Sequence, residues 1–233
     1  MSFAVGVMAR APLPGFCKTR LAEKIGDEAA AELAAAMLED TLNAYAQLPA
    51  ARHILFGAPE HDGLAYLRRF IKPPWRLISQ SGDDLGVRMQ RALEVLGESA
   101  AVTALAGSDI PHVDIAAVAA GLERLERAGD VLLGPADDGG YYFIATRVPT
   151  DALFVAMPWG ASTVFDLTVA RCKELQLGLD FLPRNYDIDS YKDLLRLRDA
   201  LTGQLQGAPA TKEVVRRRQW AVKTMPPGSV AQG

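Results

Sequence analysis

The chain is 233 residues long, 49% hydrophobic and 23% charged, with a formal net charge of −3. That length and balance suit one globular domain with a sizeable core and exclude a disordered chain. The slight acidity argues against general nucleic-acid binding, and no apolar run approaches the roughly 20 residues of a membrane span.

Residues 3–8 read as a short buried strand with no basic segment or cleavage site before it, so the start is not expected to be a signal peptide. Two prolines and Gly15 then forbid regular structure through residue 15, which makes this stretch a loop leaving the carboxyl end of that strand. The loop presents Lys18 and Arg20 on either side of Thr19, a compact charge and a fork that both suit phosphate oxygens; a solvated basic turn is the plain alternative. It matches neither a Walker A motif nor a G-x-G-x-x-G fingerprint.

Residues 27–48 are alanine-rich, with Leu33, Met37, Leu38, Leu42 and Tyr45 at helical spacing, and read as core. A strand over 52–57, a short helix over 62–71 and a strand over 75–79 follow. His53 alternates with apolar positions and reads as structural. In the next turn Asp83 or Asp84 can cap the helix that carries Met89, Leu93 and Leu96. That leaves Gln80, at a strand end, and Gly86, in a first helical turn, without a local reason. Close backbone approach by a ligand would supply one for the glycine.

Residues 102–106 form the central apolar strand, which breaks at Gly107 and delivers Asp109 two residues later, before Pro111. Ligands of open α/β sheets sit outside the carboxyl ends of strands, where an acid can hold a hard divalent cation. Asp109 could instead make a turn or cap, but Asp114 is the better cap for the helix over 114–128. A strand at 130–133 and its neighbour at 141–145 flank Asp137-Asp138-Gly139-Gly140, a hairpin signal that would set one antiparallel strand in a parallel sheet. Asp138 either belongs to that turn or faces a ligand. Trp159 stacks on a substrate or covers the core, and Ser162 or Thr163 is expected to cap the helix through Cys172. After a strand at 179–183, Ser190 and Asp193 resemble a capping box, which leaves Asp187 and Asp189 on one side of an extended segment. From Thr202 onward order is expected to fade, with a short basic helix at most over 214–220 and a loose tail over 226–233. Cys17 and Cys172 lie far apart, fit neither a metal cluster nor a disulfide framework, and suggest a reducing cytoplasm.

The alternation of strand and helix predicts an α/β three-layer sandwich with a mostly parallel, mixed sheet. Within it, Pro-Leu-Pro-Gly-Phe-Cys-Lys-Thr-Arg-Leu, Gln-Ser-Gly-Asp-Asp-Leu-Gly-Val-Arg-Met, Gly-Ser-Asp-Ile-Pro, Gly-Pro-Ala-Asp-Asp-Gly-Gly-Tyr-Tyr and Asp-Ile-Asp-Ser-Tyr-Lys-Asp-Leu occur in that order. As a set they resemble the uncharacterised glycosyltransferase-like proteins of the nucleotide-diphospho-sugar transferase superfamily, of GT-A fold, over about residues 3–200. Lys-Thr-Arg-Leu also looks like the Lys-Ser-Arg-Leu of 2-phospho-lactate guanylyltransferases, and Asp-Ile-Asp-Ser like the Asp-Val-Asp-Thr of sugar-acid cytidylyltransferases. The glycine-rich Gly-Gly-x-Ser/Thr-x-Arg-Met-Gly loop of many nucleotidyltransferases is absent, and the acids around 109 are not a strict Asp-x-Asp.

The resemblance implies a Mg²⁺ or Mn²⁺ site of Asp109 and Asp189, with Asp187 as substitute, and a nucleotide surface of Ala9, Arg10, Gly15, Lys18, Arg20, Gln80, Gly86 and Ser108. Gly140, Tyr141 and Trp159 would hold the acceptor, and Lys18, Arg20, Asp109 and Asp138 would carry the chemistry. The expected protein is a single domain over 1–202 with a partly disordered extension over 203–233. It would be a cytoplasmic transferase moving a nucleotidyl or glycosyl group from a nucleotide donor to a small-molecule acceptor, without nucleic acid or a membrane span; homo-oligomer formation is left open. A nucleotide-binding or regulatory module with the same fold and weak turnover is the alternative, because fold does not fix function.

Overall fold

The computed structural model describes residues 3–148, 151–202 and 207–220. In chain order it contains β1 (Phe3–Arg10), α1 (Thr19–Ile25), α2 (Asp27–Tyr45), β2 (Arg52–Ala58), α3 (Asp62–Leu67), β3 (Trp75–Ser79), α4 (Leu85–Gly97), β4 (Val102–Gly107), α5 (Ile115–Ala128), β5 (Val131–Pro135), β6 (Tyr141–Thr146), α6 (Asp151–Phe154), α7 (Val164–Glu174), β7 (Leu179–Phe181), α8 (Tyr191–Thr202) and α9 (Pro209–Arg218). The strands form one mixed sheet in the order β3-β2-β1-β4-β6-β5-β7. Strands β1, β2, β3 and β4 are parallel, as are β5 and β7, whereas β6 runs antiparallel to both β4 and β5. The one reversed strand is the one that the Asp-Gly turn introduces.

Alternation along each strand sends side chains to two separate cores. Val5, Val7, Ala104, Ala106 and Leu132 meet Leu38, Leu42, Tyr45, Val118, Leu122 and Leu125 on one face. Ala4, Leu105, Val131 and Leu133 meet Met89, Leu93, Leu96, Phe154 and Cys172 on the other. Each fully buried leucine of this kind contributes about 1.5–3 kcal/mol relative to exposure. Both cysteines are buried and unpaired, as their spacing suggested. Among the described residues, no helix is long and apolar enough to cross a membrane.

A third cluster joins α2 to the C-terminal helices, where Leu33 and Met37 pack with Leu194, Leu197, Val214 and Val215. The sequence suggested at most a short basic helix from Val214; the helix begins instead at Pro209 and is docked. Asp40, 3% exposed on α2, accepts the backbone N–H groups of Ala210 at 3.0 Å and Thr211 at 2.7 Å. A carboxylate from a distant helix therefore holds the positive end of α9, a partner that no local capping signal could reveal. The tail expected over 226–233 lies outside the described residues. Asp84, Asp114 and the Ser190–Asp193 pair cap α4, α5 and α8 as expected. Thr163 stands at the N-cap of α7 but gives it no side-chain hydrogen bond.

Candidate active site

Parallel register places the carboxyl ends of four strands together. Arg10 is opposite Ala58, Met8 opposite Gly107, and Gly57 opposite Ser79. The loops that follow β1, β3 and β4 therefore open on one edge of the sheet, where they line a cleft of about 660 Å³. Ile188 donates its N–H to the Asp109 carbonyl at 3.1 Å, which lays the 187–189 segment beside the end of β4. Ile188 is fully buried, so Asp187 and Asp189, one residue to either side, both face the cleft.

Lys18 is the hinge of this arrangement. Its Nζ lies 2.7 Å from Oδ1 of Asp109 and 2.6 Å from Oδ1 of Asp189, although the two acids are 80 residues apart in sequence. The lysine side chain is 7% exposed, while those carboxylates are 44% and 50% exposed toward the open cleft. Burial alone would lower the Lys18 pKa; the Asp109 and Asp189 carboxylates outweigh it and raise it, so the ammonium is kept charged. Its backbone is left-handed, at φ 49° and ψ 41°, a conformation that costs a non-glycine residue about 1–2 kcal/mol. The surroundings therefore hold Lys18 in place against its own preference.

Asp187 carries the most displaced acid titration of the site. Burial first, and then the carboxylates of Asp109, Asp138 and Asp189, push its pKa to about 7 against the opposing pull of Lys18. Asp138 stands in the β5–β6 turn, where its Oδ1 accepts the Gly140 N–H at 2.8 Å. The turn requires glycine at 139, where φ is +89° and a Cβ would strike the Ser162 carbonyl. Both signs of charge line the cleft. Arginines 10, 20 and 88 come from β1, α1 and α4, and the four aspartates from the segments after β4, β5 and β7.

Of the residues expected at the site, Ala9, Arg10, Lys18, Arg20, Gln80, Ser108, Asp109, Asp138, Tyr141, Asp187 and Asp189 line the cleft, whereas Gly15, Gly86, Gly140 and Trp159 are not among its lining residues. Gly86 has a reason within the chain. A Cβ there would fall inside the Trp159 indole, so the helix glycine admits a tryptophan rather than a ligand. Trp159 also meets Phe154 edge to face, with centroids 5.5 Å apart, and so covers the core. Gln80 has a structural role as well, because its Nε2 donates to the carbonyls of Phe56 at 2.8 Å and Ala9 at 3.1 Å. Sequence reasoning missed Arg88. It lies in a motif read only for its cap and its glycine, yet it reaches the cleft while its Nε donates to the Gly82 carbonyl at 2.8 Å. Cys17 lines the cleft too, but burial raises its pKa and its thiol donates to the Leu13 carbonyl at 3.4 Å, so it is no ready nucleophile.

The donor set suits a hard cation. Asp109 and Asp189 already converge on a single positive charge, and every available side-chain donor there is oxygen. Among the described residues, no three of His, Cys, Asp or Glu are disposed to enclose an ion. Mg²⁺ sites in general use one or two carboxylates and leave the other positions to water and substrate phosphates.

Residues 41–161 match a family model described as an uncharacterized protein conserved in bacteria (DUF2064), a segment that contains Gln80, Arg88, Asp109 and Asp138. Among proteins of curated function none matches the sequence. The fold is that of nucleotide-diphospho-sugar transferases. A candidate nucleotide-diphospho-sugar transferase from Desulfovibrio desulfuricans G20 is 29% identical and superposes with a TM-score of 0.85 over 94% of this chain and 95% of that one. A cytidylyltransferase from Leptospira borgpetersenii shares 13% identity at a TM-score of 0.59, over 94% and 96% of the two chains. A 4-diphosphocytidyl-2C-methyl-D-erythritol synthase from Anaerococcus prevotii shares 10% identity at a TM-score of 0.58, over 86% and 96%.

Proposed function

The chain belongs to the family of uncharacterized proteins conserved in bacteria (DUF2064), and we propose that it is a transferase that takes a nucleotide-sugar donor with Mg²⁺ or Mn²⁺ and glycosylates a small-molecule hydroxyl. The observation that carries this reading is the meeting of Asp109 and Asp189 at one cation, Lys18, in a cleft that arginines also line. Asp109 and Asp189 would hold the ion. Bound there, the ion neutralises charge on the donor phosphates and on the departing nucleoside diphosphate.

Arg10, Arg20 and Lys18 would grip phosphate oxygens, the arginines as bidentate forks and the lysine as a point charge. Gln80 ties the ends of β1 and β2 together and so fixes the wall against which the nucleotide would lie. The acceptor would enter the half of the cleft that carries Asp138, Asp187 and Tyr141. An anionic acceptor would meet like charge there, whereas a hydroxyl would meet a base. Asp187, with its pKa at about 7, suits that role, since a general base works best when its pKa is near the operating pH. Asp138 is less suited, because one of its oxygens is engaged by the turn. The hydroxyl proton passes to the Asp187 carboxylate as the acceptor oxygen bonds to the sugar carbon and the nucleoside diphosphate departs.

Calorimetry with the four nucleoside triphosphates and with UDP- and GDP-sugars, with and without Mn²⁺, tests this. The expected result is Mn²⁺-dependent binding of a nucleotide-sugar that Asp109→Asn abolishes. Binding of triphosphates alone would transfer the reading to nucleotidyl transfer, and binding of neither would end it.

A further inference from the structure

The Lys18 ammonium stands at the position between Asp109 and Asp189 where the proposed ion would have to go. Its Nζ is within hydrogen-bond distance of one oxygen from each acid, and its side chain is closed off from solvent while theirs are half open. A divalent ion approaching from the cleft would therefore meet two accessible carboxylates whose charge Lys18 already neutralises. Ammonium and divalent ion cannot hold the same two oxygens at contact distance, because like charges so close repel strongly even in a polar cleft. Of the two, only the lysine is tethered, through a four-carbon stem whose terminal amine can swing while the backbone stays in place. We propose that Lys18 and the divalent ion exchange places at the Asp109–Asp189 pair, the ion releasing the ammonium toward the donor phosphates, so that metal and polyphosphate each tighten the binding of the other.

This inference rests on the metal-dependent reading above and adds what that reading lacks, a reason for metal and nucleotide to bind together. Without an anion nearby, displacing Lys18 strands a buried positive charge beside a metal ion. With a polyphosphate in the cleft, the released amine finds new oxygens next to Arg10 and Arg20. Coupling of this kind is reciprocal by linkage, so the factor by which polyphosphate tightens metal binding must equal the converse factor. The left-handed backbone of Lys18 fits a residue held in one state by its partners.

The test is the chemical reactivity of the Lys18 amine in the full chain, read by mass spectrometry after isotope-coded acetylation, with the exposed Lys72 as internal control. Calorimetry of Mn²⁺, alone and with inorganic tripolyphosphate at excess Mn²⁺, runs beside it. Lys18 should be nearly unreactive in the free protein, acetylate at least tenfold faster at saturating Mn²⁺, and become protected again when tripolyphosphate is added. The Mn²⁺ dissociation constant should fall at least tenfold with tripolyphosphate, and Lys18→Met should remove most of that coupling. Should the variant fail to fold, the labelling of the unaltered protein still decides. Mn²⁺ binding that is lost in Asp109→Asn, together with Lys18 reactivity that does not move, would overturn the exchange and leave the proposed function standing. No Mn²⁺ binding to the unaltered protein would overturn both.

Discussion

The Trp159 indole occupies the space that a side chain at position 86 would need, so a loop after α6 is keyed into the first turn of α4 through a single missing Cβ. Gly86→Ala would normally favour a helix by about 0.5–1 kcal/mol. Here it should destabilise the protein by about 1–3 kcal/mol, because the added methyl overpacks against a rigid ring. Trp159→Ala should make the same substitution harmless or stabilising. A double-mutant cycle by thermal denaturation measures this, and additive effects would show that residues 86 and 159 are not in contact.

That pair also marks where reading the sequence succeeds and where it stops. An unexpected glycine in a helix signals a close approach, and Gly86 is one; its partner, 73 residues away, is invisible in any local pattern. The elements themselves were legible because period and punctuation are local, as with Leu33, Met37 and Leu38 on α2 or Asp114 before α5. Three of the site acids, Asp109, Asp187 and Asp189, stood out because no local turn or cap accounts for them. Asp109 is spare since Asp114 already caps, and Asp187 and Asp189 are spare since Ser190 and Asp193 satisfy each other. Electrostatics was not legible. That Lys18 would be shared between two carboxylates, and that Asp187 would be displaced furthest, depend on distances across the fold. Arg88 escaped for a simpler reason, since an arginine at a helical spacing reads as solvated surface until the cleft beside it is seen.

Docking of α9 hangs on Asp40. Replacing this buried carboxylate with alanine leaves the N–H groups of Ala210 and Thr211 without their acceptor. Loss of a helix cap costs about 0.5–2 kcal/mol. The effect should be local, because Val214 and Val215 belong to the peripheral cluster with α2 and α8 rather than to either central core. Limited proteolysis of Asp40→Ala should cut between residues 207 and 220 under conditions that leave the parent chain whole, with a cleft that still binds its ligands. Equal resistance to protease would mean that the apolar contacts alone hold α9.

Arg88 should matter to ligand binding and little to folding. Its Nε–H···O bond to Gly82 spans a solvated turn, while its remaining donors are free to face the cleft. Arg88→Lys keeps the charge but loses the fork that engages two phosphate oxygens at once. Binding of the donor identified by calorimetry should weaken about tenfold, the equivalent of about 1.4 kcal/mol, with a melting temperature close to that of the parent. A drop in melting temperature without a change in affinity would confine Arg88 to holding the turn.

Two groups give stability a pH dependence of opposite sign. Burial lowers the pKa of His112 to about 4, and the Nε2 of its ring lies 2.8 Å from Oδ1 of Asn185. That oxygen also accepts the Tyr186 N–H at 2.9 Å, so it is the acceptor and His112 donates from Nε2 as a neutral imidazole. The unfolded chain binds a proton at this histidine near pH 6.5 and the folded one only near 4. Its contribution to stability is therefore present above pH 6.5 and is lost as pH falls toward 4. Asp187 is the converse case: its folded pKa of about 7 lies above the ordinary 3.8, so stability rises as pH falls from 7 to 4. Over the shared window the two slopes offset each other, each with a limit of about 1.4 kcal/mol per pH unit. Chemical denaturation between pH 4 and 7 should accordingly give a shallow profile for the parent, a profile for His112→Phe that climbs as the pH is lowered, and one for Asp187→Asn that descends. With both titrations removed, the doubly substituted protein should be nearly flat again. If His112→Phe keeps the parent's slope, the imidazole is not held neutral.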